Sequence, residues 1–315
     1  MQFMRARLEA SKPIRIYEVG PRDGIQNLFK VVDLNKRQQL IEYLALAGIK
    51  NIEIGSMANP KKLPTMADSH LLLENLNEKG IDANFSLLVM NAKGMYLAKE
   101  SGVEYVNVVI SPQEMFNRMN FVKDMHEMMM IYEDILYDLD RSKVRVYISC
   151  AFGEGFTDEE WNECITWAAA MGDTVVLADT DGSVNNRKLH KYIKMAQKAG
   201  VKNIALHFHL TFKKSQKTIE KYLDTAYHLG VTEFDSSIAG LGGCPYVINS
   251  GANLSTESLV SWAIKNGIEV EGVNLRQLAR ATRYARKITS DSKISRILPV
   301  HNWSDARVLI HSLWA

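Results

Sequence analysis

Thr174-Val175-Val176-Leu177-Ala178-Asp179 and Asn203-Ile204-Ala205-Leu206-His207-Phe208-His209 are short apolar runs that each end in polar residues. Between them, Asn185 to Ala199 carries Leu189, Ile193 and Ala196 on one side at helical spacing, and Gly200 closes the segment. A glycine just past the last periodic residue suits a left-handed helix cap. The unit therefore reads strand, helix, glycine, strand. The same unit recurs along the chain. Runs with strand character begin near Ile14, Asn51, Ala83, Glu104, Arg145, Asp173, Asn203 and Glu233. The segment from Leu34 to Leu46 has Leu34, Gln38, Ile41, Leu44 and Ala45 at helical spacings, and Gly48, Gly80, Gly102, Gly230 and Gly267 end helical segments as Gly200 does. Eight βα units with a period of about 30 residues match the (β/α)8 TIM barrel in count and length, where open doubly wound sheets more often have fewer strands. Runs such as Val175-Val176-Leu177 do not alternate cleanly, which suits parallel strands buried on both faces.

The boundaries that follow are an N-terminal extension over 1–13, the barrel over 14–265, and an appended C-terminal helical segment over 266–315. A chain of 315 residues, 46% apolar and 23% charged, can bury a full core and is neither disordered, collagenous nor a coiled coil. A net charge of +2 leaves no cationic footprint for nucleic acid. The cysteines Cys150, Cys164 and Cys244 lie far apart without a C-x-x-C pair, which argues against a disulfide framework or a thiolate zinc site and for a reducing compartment. No run of about 18 apolar residues and no signal-peptide apolar region is visible, so the expected location is cytoplasmic, with no membrane partner.

In a barrel of this kind the chemistry sits at the C-terminal ends of the strands, and those ends are unusually polar here. The first strand runs into Glu18-Val19-Gly20-Pro21-Arg22-Asp23-Gly24, the second carries Glu53 and Ser56, the sixth ends Asp179-Thr180-Asp181-Gly182, and the eighth holds Asp235, Ser236 and Ser237. His207 and His209, at i and i+2 of one strand, point to the same face and can reach one ion. A carboxylate from Asp23 and an amide oxygen from Asn253 would complete a mixed N/O set suited to Mg²⁺, Mn²⁺ or Co²⁺ as well as Zn²⁺. The alternative is a pair of hydrogen-bonded histidines filling the barrel mouth. The glycines of Gly240-Leu241-Gly242-Gly243-Cys244 let the chain bend sharply, move as a lid or approach a ligand closely, and Cys244 is either a proton donor or acceptor, if its thiol faces the cavity, or an inert small apolar residue.

Three stretches carry a resemblance: Glu18 to Asn27, His207-Phe208-His209, and Ser237-Ile238-Ala239-Gly240-Leu241-Gly242-Gly243-Cys244-Pro245-Tyr246, followed by Gly251-Ala252-Asn253-Leu254-Ser255-Thr256-Glu257. They resemble, in order, the signatures of the 3-hydroxy-3-methylglutaryl-CoA lyase family, a branch of the metallolyase superfamily that also holds the isopropylmalate and homocitrate synthases. The resemblance implies a divalent-metal TIM barrel, usually a homodimer, that cleaves a 3-hydroxyacyl-CoA by retro-Claisen chemistry to acetyl-CoA and a keto acid, as in leucine catabolism and ketone-body formation. It implies Asp23, His207, His209 and Asn253 as metal ligands, with Mg or Mn the first choice. Arg22 would stabilise the enolate, Cys244 would return the proton, Glu53 and Asp179 would line the pocket, and His207 would also take part in proton transfer. Glu18 would support the metal loop, and Gly240, Gly242 and Gly243 would belong to the lid.

The pattern is broken at several positions. The family has an acidic residue at the position of Leu210 and a serine at that of Val176, both expected near the site. Leu28 and Phe29 replace an acidic and a basic residue, and Lys287-Ile288-Thr289-Ser290 dilutes a block in the C-terminal segment. Arg276, Arg280, Arg283 and Lys287 fall on one helix face and could meet CoA phosphates, or form a solvated face. Two other activities fit the same residues: a condensing synthase joining acetyl-CoA to a 2-keto acid, and a barrel that binds an acyl thioester without turnover.

Overall fold

The computed structural model describes residues 12–28, 30–210, 214–242 and 252–289. Eight parallel strands form a closed ring: β1 (Arg15–Glu18), β2 (Asn51–Ser56), β3 (Asn84–Leu88), β4 (Tyr105–Ile110), β5 (Val144–Ile148), β6 (Thr174–Asp179), β7 (Asn203–Leu210) and β8 (Glu233–Ser236), with β8 paired back onto β1. The architecture is the expected TIM barrel. Every strand begins within one residue of the position read from the sequence.

Helices alternate with the strands: α1 (Leu34–Leu46), α2 (Ser69–Glu78), α3 (Ala92–Glu100), α4 (Glu114–Phe121), α5 (Met125–Leu136), α6 (Asp158–Met171), α7 (Asn186–Lys198), α8 (Gln216–His228) and α9 (Thr256–Lys265). Side-chain caps fix many of their starts. Asp33 accepts from the Asn35 amide, Asn185 from Lys188, and Thr157 with Glu160 forms a capping box, each satisfying backbone N–H groups left open by the first turn. Between β4 and β5 the chain makes two helices. Val122 stops α4 in a left-handed conformation, and the Asp124–Glu127 capping box restarts the chain as α5.

The last described helix, α10 (Leu275–Thr289), packs on α1, with Tyr284 edge-on to Tyr43 at 5.1 Å. The link leading into it is pinned to the base of the barrel by Ile14, whose amide donates to Glu269 O (2.9 Å) and whose carbonyl accepts from the Glu271 amide (3.0 Å). Contact there is so close that a Cβ on Gly48 would lie 1.8 Å from the Gly272 carbonyl oxygen.

The two faces of the strands differ in chemistry. Outward residues such as Ile52, Leu87, Val108, Val146, Leu206 and Phe234 join the helices in one apolar cluster that includes Leu40, Leu44, Trp161, Ile165 and Leu189. Inward, the apolar cluster is small, comprising Tyr147, Val176, Ala178 and Ala205, and the remaining interior positions include Tyr17, Glu53, Asn107, Arg145, Glu233 and Asp235, all buried. The period-2 alternation is thus intact, but it alternates apolar with buried polar rather than apolar with solvent.

Candidate active site and metal centre

Two local structures build the mouth of the barrel. After β1 the chain makes a single buried π-helical turn over Gly20–Gly24, which lifts Arg22 and Asp23 over the opening. Across from it a short strand, β9 (Ala252–Asn253), runs antiparallel to β7 and sets Asn253 directly opposite His209. His207 and His209 project from the inner face of β7 with ring centroids 4.8 Å apart. One ligand atom from each of Asp23, His207 and His209 lies within 4.8 Å of the others, and all three residues are buried.

Hydrogen bonds orient these groups. Asp23 Oδ1 accepts from Arg22 Nη1 (2.9 Å) and Gln26 Nε2 (2.6 Å), and its Oδ2 accepts from Asn253 Nδ2 (2.7 Å). His209 Nδ1 faces the Thr180 carbonyl at 3.1 Å; a carbonyl only accepts, so Nδ1 carries the proton and Nε2, 3.7 Å from Asp23 Oδ2, keeps its lone pair. Asn253 Nδ2 also donates to Leu241 O (3.0 Å), whereas Asn253 Oδ1 is buried without a partner among the described residues. An orphaned amide oxygen beside a carboxylate and two imidazoles fits a divalent cation, which would give that oxygen the partner it lacks. Burial opposes ionisation of Asp23, but Arg22 and His209 outweigh it and hold its carboxyl well below the usual range; burial pushes His209 down, toward the neutral form that binds metal.

Arg22 is clamped. Its Nε and Nη2 both reach Glu53 Oε2 at 2.6 Å, while Glu53 Oε1 accepts from Asn107 Nδ2 at 2.8 Å. Glu53, expected to line the pocket, has both oxygens engaged in holding that arginine and Asn107. Asp179 is also committed: its Oδ1 accepts from the Val184 amide (2.8 Å) and its Oδ2 faces Lys214 Nζ (3.2 Å), and burial raises its carboxyl to about 6. Glu18 accepts from the amides of Gly20 (2.8 Å) and Ile238 (2.7 Å) and from Thr256 Oγ1 (2.6 Å), so one carboxyl ties together the segments that lead to Asp23 and Gly242 and the one that follows Asn253. Burial raises it to about 8.

Residues 13–284 match the HMGL-like family. The chain belongs to that family. It is 31% identical over 294 residues to the 3-hydroxy-3-isohexenylglutaryl-CoA/hydroxymethylglutaryl-CoA lyase of Pseudomonas aeruginosa, covering 90% of this chain and 96% of that protein. It is 32% identical over 283 residues to the mitochondrial hydroxymethylglutaryl-CoA lyase of Bos taurus, covering 86% and 84%. A solved HMG-CoA lyase from Acinetobacter baumannii, in complex with coenzyme A and 3-methylmalate, superposes with a TM-score of 0.79 at 26% identity over 89% of this chain and 92% of that one. By family this HMGL-like chain is a carbon–carbon lyase.

The remaining expected positions divide. Gly242 has φ +96°, and a Cβ there would lie 2.7 Å from Asn253 Nδ2 and 2.8 Å from Asp23 O, so the glycine expected to belong to the lid sits directly against Asn253 and the Asp23 turn. Gly240 lies in the turn before it, and Gly243 and Cys244 lie outside the described residues. Leu210, expected near the site, points the other way: it is packed in the outer apolar cluster with Phe208, because residues one apart on a strand face opposite sides. Val176 does face the interior, beside Tyr147 and Ala205. Arg276, Arg280, Arg283 and Lys287 form an exposed stripe on α10, where Arg280 Nη1 donates to Gln277 (3.1 Å) and its guanidinium lies over Tyr43. This HMGL-like site also contains groups absent from the sequence reading, namely Asn107, Arg145 and Tyr147 on β4 and β5. The signal for them is a polar residue inside an otherwise apolar strand, Asn107 on β4 and the alternating Arg145 and Tyr147 on β5.

Proposed function

We propose that this HMGL-like lyase cleaves 3-hydroxy-3-methylglutaryl-CoA, or a closely related 3-hydroxyacyl-CoA, to acetyl-CoA and a keto acid, acetoacetate in the first case, with a divalent ion, Mg²⁺ or Mn²⁺, held by Asp23, His207, His209 and Asn253. The observation that carries this is the orphaned Asn253 Oδ1 beside the three clustered ligand atoms of Asp23, His207 and His209. Bound there, the ion supplies Lewis acidity toward the hydroxyl and carboxylate of the acyl group, which makes the hydroxyl easier to deprotonate.

The chain's own groups do the rest. Loss of the hydroxyl proton lets the adjacent carbon–carbon bond break, with the electron pair passing to the carbon next to the thioester. Arg22, fixed by Glu53 and Asp23, places a permanent positive charge in a water-poor site, where it stabilises the enolate on the thioester oxygen. The hydroxyl proton leaves to solvent; His207, its Nδ1 facing Asp235 Oδ2, assists that transfer as a ligand rather than as the acceptor, since its Nε2 would be taken by the ion. Cys244 Sγ returns a proton to the carbon, completing acetyl-CoA. The same reading takes the enzyme as a cytoplasmic homodimer. Among the described residues no helix is long and apolar enough to cross a membrane.

The test is acetyl-CoA release from 3-hydroxy-3-methylglutaryl-CoA and longer 3-substituted glutaryl-CoA thioesters, with Mg²⁺, with Mn²⁺ and with chelator. Metal-dependent cleavage of one member, abolished by chelator and greatly reduced in Cys244→Ala with the fold and metal retained, is the expected result. No cleavage by folded, metal-loaded protein overturns it in favour of the condensing synthase or a non-catalytic barrel.

A further inference from the structure

One buried carboxylate next to the metal cluster has no role in the chemistry above. Asp235 lies on the inner face of β8, and both of its oxygens are held. Oδ1 accepts from Arg145 Nη2, and Oδ2 accepts from Tyr147 Oη (2.7 Å) and faces His207 Nδ1 (3.1 Å). Arg145 is itself fixed, with its Nη1 on Glu233 and its guanidinium 3.9 Å from the centre of the Tyr17 ring. The Tyr147 ring meets the His207 ring edge-on at 6.1 Å. With donors already on both oxygens from Arg145 and Tyr147, the carboxylate has little freedom to rotate away, and toward His207 it can only accept.

We infer that Asp235, held by Arg145 and Tyr147, is a positioning residue that fixes His207 as the Nδ1–H tautomer and turns its Nε2 lone pair toward Asp23 and His209. The inference rests on the metal reading for its purpose, while the tautomer itself is a property of the metal-free chain. His209 provides the internal contrast, since its Nδ1 is set by a backbone carbonyl that no side-chain substitution removes. A carboxylate behind a metal-ligating imidazole fixes its orientation and raises its basicity, and loss of such a partner weakens metal binding by about 10–100-fold. In Asp235→Asn the amide oxygen is drawn to Arg145 and the NH₂ is turned to His207. That makes Nδ1 an acceptor and places the ring proton on Nε2, where it blocks the ligand position.

The experiment compares wild type with Asp235→Asn in two readouts. The first is the long-range ¹H–¹⁵N spectrum of the metal-free protein at alkaline pH, where the imidazoles are neutral. The second is the dissociation constant for Mn²⁺, with melting temperature recorded for both proteins. The expected result is Nδ1–H for His207 in wild type and Nε2–H in the variant, with Mn²⁺ affinity lowered by about 10–100-fold. An unchanged tautomer with unchanged Mn²⁺ affinity, whatever the melting temperature does, overturns the inference. If Asp235→Asn does not fold, Tyr147→Phe takes its place: a several-fold weaker Mn²⁺ site supports the inference, and an unaltered site overturns it. A wild type that takes up no Mn²⁺ removes the metal reading, and the tautomer comparison still decides this one.

Discussion

The outer and inner faces of the same eight strands follow different rules. On β5, Val146 and Ile148 enter an apolar layer whose neighbours are interchangeable side chains from helices, while Arg145 and Tyr147, on the alternate positions, are each matched to named groups on distant strands. The outer layer is held by removal of apolar surface from water, which is non-directional and tolerant of any well-fitting substitute. The inner network is directional. Tyr17 Oη donates to Asn107 Oδ1 (3.0 Å), Asn107 supports Glu53, and Glu53 holds Arg22, so groups on β1, β4 and β2 are linked by successive hydrogen bonds to one at the barrel mouth. Stability is concentrated in the first region, and the proposed chemistry draws on the second.

The largest effect that would break this division is in the outer layer. Trp161 is fully buried, stacks on Tyr192 at 4.8 Å and donates to Ala151 O (3.1 Å). Trp161→Ala is expected to cost about 3–5 kcal/mol in denaturant unfolding while turnover per folded molecule is unchanged. A proportionate loss of turnover would join the two regions. Next comes Arg22→Lys, which keeps the charge but not the planar grip on Glu53. Steady-state kinetics should show a loss of about 100-fold in turnover, with little change in melting temperature. Smaller again is Gly242→Ala. At φ +96° and against Asn253 and Asp23, the added methyl is expected to cost about 1–2 kcal/mol of backbone strain and to weaken Mn²⁺ binding by calorimetry.

The last effect concerns pH. Glu18 rises from 4.5 to about 8 through burial, so in the folded state it keeps its proton longer than in the unfolded state. Its contribution to stability is complete below 4.5 and is lost as pH rises through about 8. Glu18→Gln resembles the protonated group. The melting-temperature difference between Glu18→Gln and wild type should therefore move in favour of the variant from pH 5 to pH 9, and a constant difference would show that Glu18 does not titrate in that window.

The same contrast explains what was legible in the sequence. The outer layer writes its period locally: the apolar positions of α1 and α7 and the starts of all eight strands were readable because each depends on residues a few places away. The split of α4 from α5 at Val122 and the two-residue β9 were not, since neither is long enough to show a period. At the site, spacing picks out the His207/His209 pair, which shares one strand face; Asp23 and Asn253, from loops far apart in the chain, are offered there only as groups that could complete the set, and the resemblance implies all four as ligands. Asp235 shows in the sequence as a polar residue on the eighth strand, but its role does not, because its partners Arg145 and Tyr147 are 90 and 88 residues away. Leu210 adjoins His209 and β9, but its side chain turns into the outer layer, a direction that a change from acidic to apolar does not reveal until the strand is placed.

The direct test of the metal centre is calorimetric titration of Mn²⁺ into chelator-stripped wild type and Asn253→Ala. One ion per wild-type chain, and binding at least about 10-fold weaker in the variant with its fold retained, is the expected result, because the orphaned Oδ1 is the oxygen that the ion would satisfy. Equal affinity in the two proteins, or no uptake by wild type, would contradict a metal centre built from these four residues.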